Sequence, residues 1–304
     1  MPSKILDPDV LAKVGRLDLQ AKFIVEGFLS GMHRSPFKGF SVEFAQHRGY
    51  VPGDDLKHLD WKVWGKSERY YIKQYEAETN LVCTLVVDTS ASMRYVGATA
   101  HNKLSKGAWA NLATAALAYM VLSQSDAVAL ATFSDKVDEW LPKSSRKDNL
   151  HRICDSLEKA PQRQRTSIGD ALQTVAERTL RRGIIVVMSD LFDDVTKLLK
   201  GLQRLRHTGH EVVVVQVLDH DEMELPFEGM VQFKGLEGAA IALCHPRSIK
   251  KAYQEELHKH LTAVKAACQR NNIDYVQVDT RTPVDVVLTA YMARREHAAA
   301  SGGR

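Results

Sequence analysis

Long apolar runs, closely spaced cysteines and the short motifs of nucleotide or acyl chemistry are missing from this 304-residue sequence. The N-terminus MPSKILDPDV carries acids and no continuous apolar core, so no signal peptide is expected. The most apolar helical stretch, around Ala108 to Leu122, is interrupted by Asn111 and Thr114. It is too short and too polar to span a bilayer and is expected to be a core helix of a soluble protein. The four cysteines (Cys83, Cys154, Cys244, Cys268) lie far apart with no CxxC and no Cys/His spacing. They are expected to be reduced and mostly buried, as in a cytoplasmic protein. No P-loop, GxSxG or HExxH occurs, which leaves nucleotide hydrolysis, acyl transfer and zinc proteolysis without a local signature. The formal net charge of +4 comes from scattered residues rather than a basic stripe, so nucleic acid is not an expected partner.

Apolar content of 44% and charged content of 26% are those of an ordinary globular protein, with room for a large α/β domain and a smaller appended region. After an opening helix (Pro8 to Gly31), residues up to about 80 are rich in aromatics and turn residues, with short alternating patterns such as SVEF and RYYIKQY. They read as short strands and loops. From Leu81 the pattern changes. LVCTLVVD, AVALATFS, IIVVMSD, EVVVVQVLD and IDYVQVD read as strands, and helices alternate with them, the last from Val284 to Arg294. VDEWL reads as an edge strand, and MVQFKG with GAAIALCH as a small hairpin. The expectation is an α/β fold built on a doubly wound, mostly parallel sheet, with a strand- and loop-rich N-terminal segment. Its divisions are 1–80 for the N-terminal segment, 81–294 for the main domain and 295–304 for a frayed tail.

In such sheets ligands bind beyond the carboxyl ends of the strands. Two apolar strands end there in acids, at Asp88 and Asp190. In LVVDTSASMRY the hydroxyls of Ser90 and Ser92 alternate after Asp88, so an extended loop can present all three to one side. Thr166 lies in RTSIGDAL at the start of a predicted helix. Two carboxylates and three hydroxyls form a hard oxygen set that favours Mg²⁺ or Mn²⁺ over zinc. Each of these residues alone is more often a cap or turn residue. Their order, on these elements, points to a metal site.

The pattern DxSxS, then Thr, then Asp resembles the metal-ion-dependent adhesion site of the von Willebrand factor A fold. The stretch from HRSPFKGF through YVPGDD and LDW to DTSASM resembles the bacterial family called domain of unknown function 58. That resemblance implies that Ser90 and Ser92 bind the metal directly and that Thr166 binds directly or through water. It also implies that Asp88 and Asp190 hold metal-bound waters or coordinate directly, and that a partner's carboxylate takes the sixth position. The implied function is non-enzymatic: a Mg²⁺-dependent protein–protein interaction module, an adaptor or co-chaperone-like partner of a MoxR-type AAA+ ATPase. The alternative is a Mg²⁺-dependent phosphoester hydrolase using Asp88, which lacks an evident acid/base partner. Arg165 stands where relatives commonly have glycine.

Three further features invite a function. Asp54, Asp55, His58 and Asp60 offer possible ligands, although Pro52-Gly53 reads as a turn with capping aspartates, anchored by Trp61 and Trp64. Arg163, Arg165, Arg181 and Arg182 read as a solvated face or a patch for an acidic partner. Met93 and Arg94 are expected at the rim of the site.

Overall fold

A computed structural model describes residues 16–31, 44–49, 63, 65, 70–75, 81–98, 104–160, 167–236 and 241–301. Helix α1 (Leu17–Gly31) is followed by an antiparallel pair of short strands, β1 (Phe44–Gly49) and β2 (Tyr71–Tyr75). The main sheet then begins with β3 (Val82–Asp88), a 3₁₀ turn (Ala91–Arg94) and α2 (Lys106–Ser123). It continues through β4 (Ala127–Phe133), β5 (Val137–Ser144), α3 (Asn149–Lys159), α4 (Ile168–Arg178) and β6 (Ile184–Ser189). Next come α5 (Val195–His207), β7 (Glu211–Leu218) and the short α6 (His220–Glu224). A hairpin of β8 (Val231–Lys234) and β9 (Ile241–Cys244) precedes the long α7 (Pro246–Arg270). Strand β10 (Asp274–Asp279) and α8 (Val284–Ser301) close the chain.

The six-stranded sheet has the order β10-β7-β6-β3-β4-β5, parallel throughout except for the antiparallel edge strand β5. Alternation along each strand sorts side chains into two cores. Cys83, Leu85 and Val87 of β3, with Val186 and Met188 of β6, face α1, α2, α3 and α8. Val86, with Ile185 and Val187, faces α4, α5 and α7. The central strands are therefore apolar on both faces, which is why they read as unbroken runs. Helix α2 is buried nearly all round, with small alanines allowing close approach to the sheet.

Strand order reverses between β3 and β6. From β3 the chain crosses by α2 to β4 on one side, and from β6 it crosses by α5 to β7 on the other. Because α2 and α5 lie on opposite faces, the topological switch point, where sheets of this kind place their ligands, falls at the carboxyl ends of β3 and β6. Asp88 closes one of these strands and Asp190 follows the other.

Two differences from the sequence reading stand out. Helix α8 runs on to Ser301, past the expected boundary at 294, through the strong helix formers Ala298 to Ala300. The five-residue α6 was not anticipated, because it is shorter than any periodicity can show. The cysteines are free; Cys83, Cys154 and Cys268 are buried and Cys244 is partly so. Among the described residues, no helix is long and apolar enough to cross a membrane.

Candidate metal centre

Strand pairing carries Val87 of β3 beside Met188 of β6, so the two chains leave the sheet side by side. One residue on, the Ser189 hydroxyl donates to Asp88 Oδ2 at 2.6 Å. The Ser90 amide donates to Asp88 Oδ1 at 2.9 Å, folding the loop back over the carboxylate. Thr89 ties the same loop to β4, its amide donating to the Phe133 carbonyl at 2.8 Å. The 3₁₀ turn then brings the Ser90 and Ser92 hydroxyls within 3.0 Å of each other. Each hydroxyl oxygen has two lone pairs and only one of the two donates in that contact, so acceptor capacity is left over on both.

Asp190 sits one residue beyond β6 and is as buried as Asp88. Leu191, next in the chain, adopts φ +59°, a left-handed conformation disfavoured for a branched residue and costing on the order of 1–2 kcal/mol. The bend is held by the Leu191 amide donating to Ser189 Oγ at 3.0 Å and by a 3.0 Å contact of its carbonyl with His260 Nε2 from α7. It allows the Phe192 amide to reach Asp190 Oδ1 at 3.3 Å. Burial, and then the Asp190 charge, push the Asp88 carboxyl up to about 7, and hydrogen bonds from the Ser189 and Ser90 hydroxyls and the Ser90 amide only partly offset them. Two neighbouring buried carboxylates call for a cation.

One cation is built in. Lys106, in the first turn of α2, is fully buried; its ammonium donates to Asp190 Oδ2 at 2.8 Å and to Glu222 Oε1 at 2.6 Å. It also lies 5.4 Å from the centre of the Phe192 ring, which is partly exposed. Burial disfavours the charged amine, but Asp190 and Glu222 outweigh burial and hold the amine above its ordinary range. Glu222 is itself steered: its other oxygen accepts the Asp219 amide at 3.0 Å in a capping box on α6.

Of the predicted ligands, the structure brings together Asp88, Ser90, Ser92 and Asp190. Thr166 lies outside the described residues. So do Arg163, Arg165 and the segment Pro52 to Trp61 with Asp54, Asp55, His58 and Asp60, together with Trp64. Met93 is not on the rim: it is 2% exposed, because the 3₁₀ turn points it into the core above α2. Among the described residues, no group of three or more His, Cys, Asp or Glu could hold a metal. That is compatible with the present set, which relies on hydroxyls. The donors are all oxygen, two hydroxyls converge, and the carboxylates are buried, so their chemistry fits a hard divalent ion. Lys106, Glu222 and Ser189 were missed by sequence reasoning. The available signals were a single lysine opening an otherwise apolar helix and the capping-box spacing of Asp219 and Glu222.

The model of the family described as "Protein of unknown function DUF58" matches residues 46–263. The chain belongs to that family. It is 26% identical over 267 residues to the "Uncharacterized protein Rv1480" of Mycobacterium tuberculosis H37Rv, covering 87% of this chain and 81% of the relative. Among solved structures it is similar to the conserved hypothetical protein BatB from Bacteroides thetaiotaomicron, at 15% identity and a TM-score of 0.46, covering 70% of this chain and 98% of that one. It is also similar to the SpRpn10 VWA domain, at 11% identity and a TM-score of 0.40, covering 68% and 93%.

Proposed function

We propose that this member of the DUF58 family is a metal-dependent protein–protein interaction module that captures an acidic side chain of a partner. The observation that carries the reading is the convergence of the Ser90 and Ser92 hydroxyls, 3.0 Å apart, beside two buried strand-end aspartates at the switch point of the sheet. Ser90 and Ser92 would hold the ion, with Asp88, Asp190 and Thr166 completing the set. Mg²⁺ or Mn²⁺, when bound, supplies an electrophilic position for an outside carboxylate. The protein's own groups do the positioning. Ser189 and the Ser90 amide fix both oxygens of Asp88, and the bend at Leu191 fixes Asp190. With both oxygens engaged, Asp88 suits a holding role better than that of a hydrolase nucleophile.

The partner proposed from the family resemblance is a MoxR-type AAA+ ATPase. An affinity pull-down from the native cell with Mg²⁺, with EDTA, and with Asp88→Ala tests the proposal. Capture of the ATPase that needs Mg²⁺ and is lost in the variant, with the fold intact by circular dichroism, is the expected result. Equal capture in all three arms would reject the reading.

A further inference from the structure

Lys106 contacts the candidate ligand Asp190, and the proposed function does not use it. A lysine with no exposed surface is rare unless it is paired, and this one is paired twice. Its partners differ in role. Asp190 belongs to the candidate ligand set, whereas Glu222 belongs to α6, at the end of a different strand. The same ammonium therefore neutralises a metal-binding carboxylate from inside the protein and ties it to a neighbouring loop. A divalent ion that drew on Asp190 would meet that positive charge in a poorly solvated site, where charges are only weakly screened.

We propose that Lys106 is a tethered competitor for the metal: it occupies Asp190 Oδ2, keeps the site assembled without an ion, and holds the affinity for divalent metal low. The site then retains its ion best when a partner's carboxylate adds the negative charge that Lys106 has cancelled, so metal and partner bind cooperatively. This inference rests on the metal-site reading above and concerns the regulation of that same site. The 2.6 Å contact to Glu222 gives the ammonium a second partner that it would keep if Asp190 turned to the ion. Such a switch between two carboxylates needs no large movement of the backbone.

The test is Mn²⁺ titration followed by electron paramagnetic resonance, on the full chain, with folding checked by circular dichroism. Lys106→Met alone would strand the buried Asp190 and the partly buried Glu222 and risk misfolding. The primary variant is therefore Lys106→Met with Glu222→Gln, which deletes the pair together and leaves Asp190 free. It is expected to bind Mn²⁺ at least about tenfold more tightly than wild type. Glu222→Gln alone leaves the ammonium to Asp190 and is expected to bind more weakly than wild type. An unchanged or weakened affinity in the double variant overturns the inference, and so does a tightened affinity in Glu222→Gln, which stands on its own if the double variant fails to fold. Asp88→Ala separates the two claims. If wild type and Asp88→Ala bind Mn²⁺ alike, or if no variant binds it, the metal site itself is refuted and the inference falls with it. If wild type binds, Asp88→Ala does not, and the double variant shows no gain, only the role of Lys106 is refuted.

Discussion

Asp88 and Asp219 are both buried aspartates at the ends of apolar strands of one sheet, yet their surroundings give them different characters. Asp219 is a strut. Its Oδ1 accepts the Asp221 amide at 2.9 Å, and its Oδ2 accepts the Gly97 amide at 3.1 Å and the Thr280 hydroxyl at 3.2 Å. It thereby pins the loop after the 3₁₀ turn to the ends of β7 and β10. Asp88 instead accepts from its own loop and from the adjacent strand, beside a second acid, and burial with that acid pushes its carboxyl up to about 7. A strand-end aspartate is thus not a site by virtue of its position. Asp219 is held by donors from three separate segments, whereas Asp88 faces Asp190 across two adjacent strand ends.

That contrast can be broken by substitution. Asp219→Ala should be the most damaging change, costing on the order of 3 kcal/mol or more because it strands several buried donors at once. Urea unfolding should show the same loss with and without Mg²⁺. Gly97→Ala comes next. Its new Cβ would lie 2.1 Å from Asp219 Oδ1, so a cost of about 1–3 kcal/mol is expected in the same assay. Asp88→Asn, by contrast, should stay within about 1 kcal/mol of wild type in EDTA, since it removes a buried charge from beside another. A loss as large as that of Asp219→Ala would erase the distinction between the two aspartates. The effect of the ion is likewise modest. Mg²⁺ at ten times its dissociation constant should stabilise wild type by about 1.4 kcal/mol and Asp88→Asn not at all. Ser92→Ala should require more Mg²⁺ for the same gain while unfolding normally in EDTA.

Much of this arrangement is readable from the chain because the signals are local. Val82 to Val87 form a run apolar on both faces, and the residues that follow alternate Asp, Ser, Ser within one loop. Asp190 was readable for the same reason, as the acid following a second such run. Lys106 was not, since a lysine in the first turn of a helix ordinarily reaches solvent. Its burial depends on Asp190 and Glu222, which lie 84 and 116 residues away and meet only once the sheet order is set. Met93 misled for a related reason. Whether a residue of a four-residue turn faces out or in depends on the helix packed beneath it, here α2. The left-handed bend at Leu191 has no signature either, because leucine is not a residue that announces a positive φ.

The most direct test is a crystal of the protein grown or soaked in Mn²⁺, with anomalous data collected at the manganese edge. A peak about 2.2 Å from the hydroxyl oxygens of both Ser90 and Ser92, beside Asp88 and Asp190, is the expected result. No peak there at saturating Mn²⁺, or a peak confined to another part of the molecule, would contradict the metal centre.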